Sequence, residues 1–167
     1  MYEDDDEKRD LNPEDLPLFK KGQEIFELTH KIAELIPDDS EDILLSHKGF
    51  MIEDAAQLTV KIAGAEGGDL YDIRMECAAI IRKAARDLLS HCTGLEIFGF
   101  KDTQYLYLIR EAIEEYRLLF IDWVASFDQW HYITDRWGLF NPPGIGPFDK
   151  DPDEDIPWEP PDEPGEE

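Results

Sequence analysis

Glu27-Leu28-Thr29-His30 sets a carboxylate and an imidazole three residues apart. On a helix that spacing stacks the two side chains one turn apart on a single face. It is also the Glu-x-x-His unit that carboxylate-bridged di-metal bundles use on two of their helices. Such a centre needs a second unit of this kind and two more inward glutamates. None of His47, His91 and His131 has a glutamate three residues before it, and Asp128-Gln129-Trp130-His131 is only a distant echo. Glu27 and His30 therefore read as neighbours on a surface turn, and no cofactor or metal is expected.

Ile62-Ala63-Gly64-Ala65-Glu66-Gly67-Gly68-Asp69 raises a second chemistry, the cradling of a phosphate by a glycine-rich loop. That task needs backbone N–H groups aimed at the anion and usually a lysine beside them. Here Glu66 and Asp69 oppose an anion, and no lysine follows the glycines. A turn between two helices accounts for the glycines through their tolerance of positive φ. Asp149, Asp151, Asp153 and Asp155 alternate like the start of a calcium loop, but Glu154 and Pro160 stand where that loop needs glycine and glutamate. Arg82, Lys83 and Arg86 could meet a phosphate, yet Asp87 sits beside them and a solvated helix flank explains them. Cys77 lies on an apolar stripe and reads as a small core residue. Cys92 is about four turns away on the same expected helix, so the two cannot bridge. No catalytic residues are assigned, and no enzymatic activity is expected.

The elements that carry these residues read as helices. Leu18, Ile25, Leu28, Ile32, Leu35 and Ile36 follow helical spacing over Leu16–Ile36, with Asp15 and Pro17 at its start and Pro37 at its stop. After the capping cluster Asp38-Asp39-Ser40, the row Leu44, Met51, Ala55, Leu58 and Ile62 predicts a second helix to about Ala65, interrupted by Lys48. A third starts at Asp69, carries Leu70, Ile73, Cys77, Ile80, Ile81, Ala84 and Leu88 on its apolar stripe, and is expected to stop at Gly94. The fourth, from about Asp102 to Phe127, has an apolar stripe about 160° wide. That is more than a lone bundle covers, so part of it is expected to face another subunit. An all-α, up-down antiparallel four-helix bundle over residues 16–127 is the simplest arrangement of four such helices.

Composition bounds the partners. The 167 residues suit one domain. The net charge is −24, with −6 on residues 1–15 and −9 on residues 141–167. Nucleic acid is disfavoured, because phosphate contacts require lysine and arginine. A membrane surface is disfavoured for the same reason, and no apolar run would span a bilayer. The N-terminus lacks the pattern of a signal peptide, and reduced thiols suit a cytoplasmic location. Residues 1–15 read as an acidic arm, 128–148 as an aromatic and Pro/Gly-rich extension, and 149–167 as an acidic, proline-rich tail expected to be mobile. The extension is expected to pack on the bundle through Trp130, Trp137 and Phe140. Its Trp130, Tyr132, Trp137 and Phe140 are the candidate interaction surface.

The order of features resembles the small four-helix-bundle proteins encoded within intervening sequences of bacterial 23S ribosomal RNA genes. The carrying residues are the entry Leu16-Pro17-Leu18-Phe19-Lys20-Lys21, the stop at Pro37, Ile62-Ala63-Gly64-Ala65-Glu66-Gly67 with two inserted residues relative to an Ile-Ala-Glu-Gly signature, and Ala112-Ile113-Glu114-Glu115-Tyr116. The resemblance spans about residues 16–127. It implies an up-down bundle and a ring-shaped homo-oligomer, a pentamer. Some relatives are basic accessory proteins of diversity-generating retroelements that bind nucleic acid, and this acidic chain departs from them. The expectation is a non-enzymatic, self-associating scaffold or adaptor for a protein partner. The alternatives are a di-metal carboxylate enzyme around Glu27 and His30, or an acidic decoy that mimics nucleic acid.

Overall fold

The computed structural model describes residues 12–155 and Pro157. Among these residues it is all-α, with four helices and no strand: α1 (Pro17–Ala33), α2 (Asp42–Gly68), α3 (Tyr71–Ile97) and α4 (Leu106–Ala125). The four apolar stripes are the reason. Leu18, Gly22, Ile25, Thr29 and Ile32 of α1 are buried at alternating steps of four and three residues, and the same spacing governs Met51, Ala55, Leu58, Ile62 and Ala65 of α2. No helix among the described residues is long and apolar enough to cross a membrane.

Cross-helix contacts fix the sense of neighbouring helices. Gly22 lies against Leu58 and Thr59, whereas Lys48, ten residues earlier in α2, reaches the Ile36 carbonyl beyond the other end of α1. Gly64 meets Cys77 and His47 meets His91, so α2 and α3 also run oppositely. Lys21 bonds Glu115 across α1 and α4 at 2.5 Å, and Trp123 near the end of α4 reaches Glu66 near the end of α2. The start of α1, the end of α2, the start of α3 and the end of α4 thus share one end of the bundle.

Helix ends differ from the sequence reading, each for a local reason. Asp15 does not cap α1; its N–H closes a 3-10 turn onto the Asn12 carbonyl, and Leu16 occupies the cap position without a side-chain bond. α1 stops at Ala33, before Pro37, in a tightened turn where Leu35 and Ile36 donate to Ile32 and Ala33. Lys48 interrupts the inward row of α2 because its ammonium serves that turn, bonding the Ile36 carbonyl and Asp38 at 3.0 Å each. Glu41, rather than the Asp38–Ser40 cluster, precedes α2, and no side chain caps it. Gly94 does not end α3. The reversal comes at Gly99, φ 89°, where Phe100 N–H returns to the Leu95 carbonyl and the Phe100 ring is buried. This is the six-to-one closure of a Schellman turn.

The expected glycine turn is also corrected. Gly64, Gly67 and Gly68 are the last turns of α2, and the positive φ falls on Asp69, at 49°. Packing overrides the weak helix propensity of glycine here: Ile62 and Ala65 are fully buried. Glu66 accepts from the Trp123 indole at 2.8 Å and pairs with Arg74. Arg74 also bonds Asp69 and lies over the Phe127 ring. This joint ties α2, α3 and α4 together where the chain leaves the bundle.

Candidate functional site

The sequence-derived metal pair does not point inward. Glu27 and His30 are both exposed, and the His30 Nδ1 faces Glu34 at 3.6 Å rather than Glu27. Among the described residues no three His, Cys, Asp or Glu side chains are placed to hold a metal ion together. Cys77 and Cys92 are buried free thiols, and burial raises the Cys92 thiol to about 11, which leaves it protonated and unreactive.

The extension after α4 is a hydrogen-bonded loop. Its entry is fixed by Tyr71 N–H, which donates to the His131 carbonyl at 2.8 Å. Asp135 organises the turn: its carboxylate accepts from the N–H groups of Trp137, Leu139 and Phe140 at 2.8–2.9 Å. Those donors, Phe140 foremost, hold the Asp135 carboxyl below its usual range. Asn141 clamps the Asp135 backbone from both sides, and Arg136 bonds the carbonyls of Pro147 and Asp149. The loop closes where Asp151 and Lys150 meet the buried Thr134. The boundary drawn at Asp149 therefore falls inside this loop, and Asp149 and Asp151 spend their carboxylates on Gly146, Thr134 and Arg136. Ile156 and residues 158–167 of the acidic tail, and 1–11 of the N-terminal arm, lie outside the described residues.

This closure corrects the expected packing of Trp130 and Trp137 on the bundle. Trp137 borders an open recess beside α3 but is 94% exposed, so the bundle does not bury it; Trp130 is exposed as well, while Tyr132 and Phe140 are half-buried. With the 137, 139 and 140 N–H groups turned in to Asp135, the Trp137 and Leu139 side chains are left projecting outward. Gly138 sits against Pro147, where an added Cβ would be 3.3 Å from the ring, with φ 71°. Phe148, the residue after Pro147, is itself 96% exposed. Leu139 and Phe148 were not singled out from the sequence; both sit in a Pro/Gly-rich stretch whose order comes from polar bonds without periodicity.

A second apolar surface lies between α3 and α4. Ile81, Ala85, Leu89, Ile113, Phe120 and Ile121 line an open groove of ≈ 300 Å³ rimmed by Arg82, Arg86 and Arg117. Arg117 is paired with Glu114. Arg82 and Arg86 form no ion pair among the described residues, whereas Lys83 pairs with Asp87. The basic cluster of α3 thus divides, with the arginines bordering apolar surface and the lysine satisfied locally.

At the other end of the bundle is a polar cluster that spacing could not reveal, because its members stand on different helices. His47 Nδ1 and His91 Nδ1 are 2.9 Å apart, and His91 Nε2 is 3.2 Å from Asp54. One proton must lie between the two Nδ1 atoms. With His91 donating from Nε2 to Asp54, His47 donates from Nδ1 to His91. His47 Nε2 is then a buried acceptor without a partner. Burial lowers the affinity of both imidazoles for a further proton and raises Asp54 to about 6. Phe98 stacks on His47 and Phe50 on His91. Ser90 borders the same surface recess as His91 and Asp54, but its hydroxyl donates to the Arg86 carbonyl, and the histidine pair serves as an internal bridge between α2 and α3.

No protein family, curated protein or solved structure matches this chain.

Proposed function

We propose that this chain is a non-enzymatic helical bundle that works by associating with protein, as a scaffold or adaptor that also binds copies of itself. The observation that carries this reading is the loop's presentation of Trp137, Leu139 and Phe148, exposed by 94, 73 and 96%. Large apolar side chains held out by a fixed backbone lose little conformational freedom on binding, which makes them interface anchors. The open groove between α3 and α4 fits the sequence-level inference that helix four has more apolar surface than one subunit covers. By resemblance to the bundles encoded in 23S ribosomal RNA intervening sequences, the assembly is a ring-shaped homo-oligomer, a pentamer.

The test is sedimentation of the full-length chain and of Trp137→Ala/Phe148→Ala over a wide concentration range. The wild type should exceed the mass of one chain. The double variant should keep its helical content and melting temperature, because neither side chain is buried, and should lose association by tenfold or more, about 1.4 kcal/mol or above. A variant that associates like the wild type would overturn the proposal.

A further inference from the structure

We infer that the exposed Trp137, Leu139 and Phe148 of one copy's loop, taken together as its ridge, seat in the α3–α4 groove of a second copy. The inference rests on the proposed self-association and names the receptor for the displayed side chains. Each surface supplies what the other lacks. The ridge is apolar and sits in a segment, residues 128–155, with seven carboxylates against Arg136 and Lys150. The groove is apolar and bordered by arginines, two of which have no carboxylate partner among the described residues. In a chain of net charge −24, an arginine-rimmed apolar groove is the exception, and an acidic, aromatic-bearing loop is the complementary shape and charge.

The two surfaces cannot meet within one molecule. The loop borders α3 at Asp72, Ile73 and Glu76 through Asp135, Phe140 and one edge of Trp137 and Leu139, while the groove uses Ile81, Ala85 and Leu89. At about 100° per residue these sets fall on opposite flanks of the helix, with their centres over 10 Å apart along its axis. The bonds of Asp135, Arg136 and Thr134 prevent the loop from swinging across. A ridge and a groove at different places on one surface make a head-to-tail contact, which propagates until a ring closes or a filament grows.

Complementary variants test this in the full-length chain. Trp137→Ala/Leu139→Ala/Phe148→Ala removes the ridge, and Arg82→Glu/Arg86→Glu reverses the groove rim; all five positions are exposed, and circular dichroism checks the fold. Each variant alone should sediment as a single chain. Their equimolar mixture should form two-chain complexes and nothing larger, since only one ridge and one groove remain intact in each pair. Arg82→Lys/Arg86→Lys should assemble like the wild type. Loss of association in the ridge variant with an unaffected rim variant would overturn the groove as receptor and leave the proposed function standing. A mixture that stays monomeric would overturn it too, and a monomeric wild type would overturn both.

Discussion

At the scale of single residues, the contact between Gly94 and His47 shows how one position can be decided by a partner 47 residues away. A Cβ at Gly94 would lie 2.4 Å from His47 Cε1 and 2.7 Å from Nε2. The imidazole cannot retreat without giving up His91, and it is flanked by Phe98. Alanine normally stabilises a helix interior relative to glycine by about 1 kcal/mol. Gly94→Ala should instead destabilise by about 1–3 kcal/mol, the usual cost of overpacking. In a His47→Ala background the same change should stabilise. Urea unfolding of the four proteins of this cycle measures the coupling, and additive effects would exclude the clash. In the sequence Gly94 looks like a helix stop, because the imidazole that requires it stands on another helix.

At the scale of elements, close approach of α1 and α2 depends on Gly22. An added Cβ there would meet Thr59 Cγ2 at 2.8 Å and the Leu58 carbonyl oxygen at 2.9 Å. Since one obstacle is backbone, the helices themselves must separate. Gly22→Ala should cost about 1–3 kcal/mol, seen as a lower urea midpoint with an unchanged slope; a raised midpoint would mean that the helices do not approach so closely. The helices were legible because burial imposes a period on the sequence: Ile25, Ile32, Leu58, Ile62, Ile81 and Leu88 were all read as inward and are all buried. Their ends were less legible. Gly67 and Gly68 remain helical through the packing of Ala65 and the bonds of Glu66 to Trp123 and Arg74, none of which has a local signature. The extension was legible only as a change of composition. Its conformation depends on Asp135, Asn141 and Arg136 bonding backbone groups up to thirteen residues away, so its aromatics were expected to pack inward when Trp137 in fact projects outward.

For the whole molecule, charge and assembly oppose one another. Copies carrying −24 each repel over a distance set by the Debye length, about 30 Å at 0.01 M salt and about 8 Å at 0.15 M. The apolar contact and its arginine rim act at shorter range and are screened less. Raising salt from about 0.01 M to about 0.15 M should therefore strengthen self-association, read as a shift of the sedimentation midpoint to lower protein concentration. A steady weakening instead would mean that ion pairs, not apolar contact, supply the attraction. The count of helices has a practical consequence as well. Because it is even and neighbours alternate in direction, Pro17 and Ala125 come out at the same pole as the loop. A label attached beside Pro17 or Ala125 therefore stands on the side where Trp137 projects, and can crowd it. A label meant to spare that side belongs at the opposite pole, at exposed Asp39 or Lys101.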